Sequence, residues 1–278
     1  IPAHAEDQDR PPVMSQQAYD AADGNPPVFS VTAEDHHATL PSLIDAVVPD
    51  NSNVKRTHFE GMIPLPPGST DQPDGAVQGM TSPTLKAPAV SLNFDGVGNG
   101  FTGPNGTFTV NSAPPDTNGA VGATQYVSLV NSELAVFNKT TGAVVYGPVP
   151  TNTLWSGFGG GCQTNNDGDG VVIYDRAAGR WVISQFSVST TPYLQCVAVS
   201  QTSDATGGWN RYSFSYGNTN FPDYPKMGSW PDAYYTTFNV FAGGTSFSGA
   251  NLCAYDRSKM LTGAAATQQC FQLSSSYG

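Results

Sequence analysis

An all-β fold is predicted by three features of this chain. Only 12% of its residues are charged, and 30 Gly and 22 Pro are spread among 278 positions, a composition suited to short strands and frequent turns. From Gln125 onward, β-branched and aromatic runs alternate with Gly, Asn, Asp and Thr clusters. A turn pattern also recurs, as it does in repeated sheets.

The runs that read as strands are Gln125–Asn131, Glu133–Asn138, Val171–Asp175, Arg180–Phe186, Tyr193–Ser200, Arg211–Tyr216, Ala233–Val240 and Asn251–Asp256. Three of them share an ending: an aromatic, then Asn or Asp, a basic residue and a Gly turn. They are Phe137-Asn-Lys-Thr-Thr-Gly142, Tyr174-Asp-Arg-Ala-Ala-Gly179 and Tyr255-Asp-Arg, which runs on to Gly263. Pro115-Asp-Thr-Asn-Gly119, Asp167-Gly-Asp-Gly170 and Trp230-Pro-Asp-Ala233 read as the starts of successive units. Their spacing suits a four-stranded propeller blade with loop insertions. The expected architecture is therefore a β-propeller of about three blades over residues 91–278, incomplete in this chain. A β-sandwich is the alternative, since it too is built of short strands.

Residues 1–90 differ. They hold 12 acidic and 4 basic residues and 13 prolines, but only three aromatics, Tyr19, Phe29 and Phe59. Such a segment buries little apolar surface against its ordering entropy. It is expected to be an extended arm or a propeptide, with one helix near Leu40–Val48 bounded by Pro41 and Pro49. Lys55-Arg56 is the one dibasic pair, and a solvated pair of charges is its plainer reading. A chain that starts at Ile1 and stops after a strand-like Cys270–Leu273 is expected to be a processed product. A second chain, or the rest of a precursor, would then complete the propeller.

Phe94-Asp-Gly-Val-Gly-Asn-Gly-Phe101, Pro114-Pro-Asp-Thr-Asn-Gly119, the Asn165–Gly170 loop and Tyr224–Tyr235 together resemble a largely uncharacterised family of secreted bacterial propeller-like proteins. The resemblance covers about residues 90–278. It implies fold and export, and brings no catalytic residues with it.

Export is also consistent with the cysteines. Cys162, Cys196, Cys253 and Cys270 form no C-x-x-C pair, and all four histidines lie upstream, so a Cys/His zinc site is disfavoured. Cys162–Cys196 with Cys253–Cys270 is the simplest of three pairings and points to an oxidising compartment: extracellular, cell-surface or periplasmic. A net charge of −11 argues against nucleic acid, and no apolar run approaches the roughly 18 residues of a membrane span.

Two constellations carry chemistry. Asn165-Asn-Asp167-Gly-Asp169-Gly170 fits the first half of a calcium loop, with Asn165, Asp167 and Asp169 as ligands. The twelfth position is Arg176 in place of the bidentate Glu, and an Asn/Asp/Gly turn explains the same residues. Asp116, Asp169 and Asp232 are expected at equivalent unit starts facing a common channel mouth, where paired carboxylates could act on a glycosidic bond. Tyr224, Trp230, Tyr234 and Tyr235 would offer faces to sugar rings, with Lys226 as donor. Turn capping is the competing use of each Asp. No histidine follows His58, so a Ser-His-Asp or Cys-His site is not built from residues 91–278 alone. The function expected is binding of an extracellular polymer, a carbohydrate, by a disulfide-bonded, calcium-stabilised propeller. A glycan hydrolase or lyase and a structural surface-assembly protein are the alternatives.

Overall fold

The computed structural model describes residues 28–51, 89–110 and 114–275; Lys55-Arg56, His4 and His58 lie outside the described residues. In chain order come β1 (Val28–Ala33), β2 (His36–Leu40) and a hairpin of β3 (Thr102–Gly103) and β4 (Gly106–Thr107). Three four-stranded meanders follow. The first is β5 (Thr117–Val121), β6 (Gln125–Val130), β7 (Glu133–Asn138) and β8 (Val144–Pro150). The second is β9 (Val171–Asp175), β10 (Arg180–Ser187), β11 (Leu194–Ser200) and β12 (Trp209–Ser215). The third is β13 (Asn220–Ser229), β14 (Ala233–Ala242), β15 (Ser246–Asp256) and β16 (Thr267–Gln272). Two short α-helices, α1 (Gly160–Thr164) and α2 (Arg257–Thr262), and a 3-10 helix, Thr151–Trp155, lie between the strands of the described residues. The protein is all-β, its sheets are antiparallel, and none of them closes on itself.

The recurrent turn pattern has a physical basis. The Asn138 carboxamide oxygen accepts the N–H groups of Thr140 and Thr141, that of the Asp175 carboxylate accepts Ala178, and that of Asp256 accepts Lys259. Each segment then ends on a left-handed glycine, Gly142, Gly179 or Gly263, a conformation that costs residues with a Cβ. The pattern closes the third-to-fourth connection of the first and third sheets but the first-to-second connection of the second. It marks turn chemistry, whatever the strand's place in its sheet.

The second sheet is covered on both faces, so nearly every residue of β10 and β11 is buried, Ser184, Gln185, Gln195 and Ser200 included. Ile183, Cys196 and Ala198 join Trp181 and Trp209 against Leu129, Leu134 and Val136 of the first sheet. Their neighbours Val182, Val197 and Val199 point the other way, onto Tyr234 and Tyr255 of the third, as the two-residue strand period requires. The outward face of the first sheet is covered by upstream residues, with Val97 and Phe108 packed on Ala135 and Phe137.

The upstream segment covers sheet edges. β1 adds antiparallel to β16 and β2 to β12, so one continuous stretch lies on the outer edges of the third and second sheets. Glu34 fixes the crossing point: its N–H donates to Ala266, and its carboxylate accepts the Ala266 N–H. The β3–β4 hairpin lies on β8, where Asn105 and Gly147 exchange hydrogen bonds. Such coverage protects edges from pairing with other chains. The helix expected near Leu40–Val48 is absent: Leu40 ends β2, and the Leu43 and Ile44 N–H groups bond Thr206 and Gly207 instead of a helical turn. Burial of Leu40 and Leu43 in the first core outweighs the local helical pattern.

Both cystine pairs form as expected. Cys253–Cys270 joins directly opposed residues of β15 and β16. Cys162–Cys196 departs from the expectation of two strands of one blade, because Cys162 lies on α1, in the connection between the first and second sheets.

Candidate functional site

The first strand of each meander, β5, β9 and β13, lies next to that of the following one. They line one cleft: Asp116 to Asn118 at the start of β5 on one wall, Asp169 to Val171 at the start of β9 on the second, and Tyr224 to Lys226, at the register shift midway along β13, on the third. Asn118 ties two of the walls by accepting the Val172 N–H at 2.9 Å. Each wall also carries a residue with a Cβ in the left-handed region: Asp116 at φ 39°, Asp169 at φ 47° and Tyr224 at φ 51°. Each such conformation costs about 1–2 kcal/mol, so the convergence of three is local strain held by the surrounding sheets.

Asp169 is the electrostatic centre of the cleft. Burial pushes its carboxyl up from 3.8 to about 6, and the carboxylates of Asp116 and Asp223 push the same way; the Lys226 ammonium and the Tyr224 N–H oppose them. Lys226 Nζ sits 3.2 Å from the centre of the Tyr224 ring, within cation–π range. The cleft thus combines an acid that titrates near pH 6, a second carboxylate, an ammonium and an aromatic face.

The remaining residues singled out in the sequence go elsewhere. Asp232 lies in the β13–β14 turn, one strand later than expected. It accepts the Tyr235 hydroxyl at 2.8 Å, and both residues line a separate depression on the outward face of the third sheet. Trp230, in the same turn, is exposed. Tyr234 is buried and donates to Asp175 at 3.0 Å. The third unit's counterpart is Asp223-Tyr-Pro-Lys226, within β13, and Asp223 stands from Asp169 at nearly the spacing that separates Asp169 from Asp116. That spacing was the available signal; the match of Trp230-Pro-Asp232 to the earlier Asp-rich starts obscured it. Thr117, Asn118 and Asp223 are the residues it would have added.

Asn165 and Asp167 do structural work. The Asn165 side-chain amide donates to Ser187 and Thr190. Asp167 accepts the Val188 and Ser189 N–H groups at 2.6 and 2.8 Å and the Ser189 hydroxyl at 2.5 Å. Gly168 between the two aspartates has φ 101°, and a Cβ there would collide with the Asn131 side chain. As folded, the loop turns Asp167 to the 188–189 segment and Asp169 to the cleft, so the two do not share one ligand set. Among the described residues, no group of three or more His, Cys, Asp or Glu is placed to hold a metal ion. His37 bonds Glu34 and stacks on Tyr212, while His36 packs on Phe158.

No helix among the described residues is long and apolar enough to cross a membrane. No family model, no curated protein and no solved structure matches this chain.

Proposed function

We propose that the three meanders are blades of a secreted β-propeller that binds an extracellular polysaccharide in the cleft between their first strands. The observation that carries this reading is the meeting of Asp116 and Asp169, at the starts of β5 and β9, with Tyr224 and Lys226 of the adjacent first strand β13. In a propeller those strands surround the central channel, and its mouth is a common ligand site. Carboxylates accept hydrogen bonds from pairs of sugar hydroxyls, Lys226 donates to a ring or acidic-sugar oxygen, and Tyr224 supplies an apolar face. Two disulfides support an oxidising compartment.

A second reading, a glycan hydrolase or lyase, rests on Asp169. A carboxyl that stays protonated to about pH 6 beside a second aspartate is the arrangement of an acid–base pair. In the hydrolase form, Asp169 protonates the leaving glycosidic oxygen, and Asp116 takes a proton from the attacking water. Glycan-array binding combined with a hydrolysis screen separates the readings, using the parent protein and Lys226→Ala. The binding reading expects retention of one class of polysaccharide, weakened at least tenfold by Lys226→Ala, without turnover. Turnover abolished by Asp169→Asn would establish the enzyme. Neither binding nor turnover on any glycan would overturn both and favour a structural surface protein.

A further inference from the structure

Adjacent sheets are joined at one end by a repeated contact. The start of β6, just after the first-to-second turn of the first sheet, carries Gln125. Its side chain donates to Asp204 and accepts the Ala205 N–H, both at 2.8 Å, and these two residues lie in the third-to-fourth connection of the second sheet. The next seam follows the same rule. Asp175, at the first-to-second turn of the second sheet, accepts Arg257 Nε at 2.6 Å, and Arg257 opens the third-to-fourth connection of the third sheet. The corresponding turn of the third sheet is Trp230-Pro-Asp232. There Asp232 accepts only from Tyr235 of its own sheet among the described bonds.

Among the described residues, none covers the face beside that turn. Val31, Leu252, Tyr235 and a Phe29–Phe271 pair with ring centres 4.9 Å apart stand on the side of the sheet opposite the buried Cys253–Cys270 bridge, and all are at least 40% exposed. Trp230, at its end, is 69% exposed. The first sheet's outward face, by contrast, is sealed by residues around Val97 and Phe108. Contiguous exposed aromatic and aliphatic groups mark an interaction surface.

We propose that this face packs against a further four-stranded antiparallel β-meander, from polypeptide outside these 278 residues, whose third-to-fourth connection sets a cationic or amide donor on Asp232. The seam would continue the two already formed, with an Arg, Lys, Asn or Gln in the place of Arg257. The inference rests on the propeller reading and adds the chemistry of the next blade; it does not depend on glycan binding.

The test places a benzophenone amino acid at Phe271 and, separately, at Trp230 in the full chain, in the cells that produce it, and sequences the cross-linked peptides. The expected result is one partner segment: a strand of alternating apolar residues captured at Phe271 and a turn bearing the donor captured at Trp230. Capture of this chain's own peptides, whether from a second copy or from residues 1–27 or 52–88, would overturn the proposal, as would the absence of any captured peptide. In a second measurement on the purified chain, anilinonaphthalene sulfonate fluorescence should fall at least twofold in Phe29→Lys/Phe271→Lys. A parent chain that binds no dye has this face covered by its own residues, which also overturns the proposal. Cross-linking as expected without glycan binding would keep this inference and remove the polysaccharide reading; glycan binding without cross-linking would do the reverse.

Discussion

Replacing Asp169 with Asn should stabilise the protein at neutral pH and leave its stability unchanged in acid. In the unfolded chain this carboxyl ionises near 3.8; in the cleft burial, reinforced by Asp116 and Asp223, moves it to about 6. Its folded value is raised, so stability is fully present below 3.8 and is lost as pH rises through 6. The rise of about two pH units, at about 1.4 kcal/mol each, corresponds to about 3 kcal/mol. The side chain is only half-buried, and solvent screening reduces that to about 2 kcal/mol. Asn keeps the shape and an oxygen for the Tyr224 N–H while removing the charge. Urea unfolding at pH 3.5, 5, 6 and 7.5 reads the difference directly. Asp169→Asn should match the parent at pH 3.5 and exceed it by about 2 kcal/mol at pH 7.5, with most of the gain between pH 4 and 6. A variant no more stable than the parent at pH 7.5, or a difference independent of pH, would refute the electrostatic account of the cleft.

Arg257→Ala should cost about 3–5 kcal/mol in urea unfolding, because it leaves the buried Asp175 carboxylate without its cation. Burial pushes the Asp175 carboxyl up, but the bonds from Arg257, Ala178 and Tyr234 outweigh it and hold the group below its ordinary value. The penalty should therefore be full above pH 4 and shrink as pH falls through that lowered value. Opening Cys162–Cys196 by Ser substitution should cost about 4 kcal/mol and opening Cys253–Cys270 about 3 kcal/mol, the order following sequence separations of 34 and 17; calorimetry on both variants checks it. Asp167→Ala should lower stability by about 1–3 kcal/mol by orphaning the Val188 and Ser189 N–H groups. If the Asn165–Gly170 loop holds calcium, excess chelator should lower the melting temperature of the parent; an unchanged melt with no bound metal would remove the calcium reading.

What was legible in the sequence is what local chemistry determines. Strands such as Val171–Asp175 and Glu133–Asn138 lie where they were expected because an Asn or Asp cap and a left-handed glycine bound them within a few residues. Asp116 and Asp169 could be placed at strand starts for the same reason. Asp232 could not, because Pro-Asp pairs begin turns of any kind, and only the sheet order separates the first-to-second turn from a unit start. The edge strands of the upstream arm were hidden more deeply. Val28-Phe-Ser-Val-Thr-Ala33 is exposed along its length, so no burial pattern distinguishes it from a linker until β16 is beside it. Leu40 and Leu43 carry the same lesson: their partners are Trp209 and residues of the first sheet, far along the chain.

That separation between pairing partners has a kinetic consequence. Val28 is matched with Gln272 and Leu40 with Trp209, so these upstream strands register with strands far along the chain. Distant pairings must overcome loop-closure entropy before any contact repays it, which makes them slow steps of folding. The second and third sheets can each form from neighbouring strands, while their outer edges stay open until the upstream segment returns to cover them. A chain emerging in order keeps β2 waiting for β12 and β1 waiting for β16. Each half of the clasp closes only after the sheet edge it covers has formed, and the interval before it is when the bare edges of β12 and β16 are exposed to foreign strands or proteases.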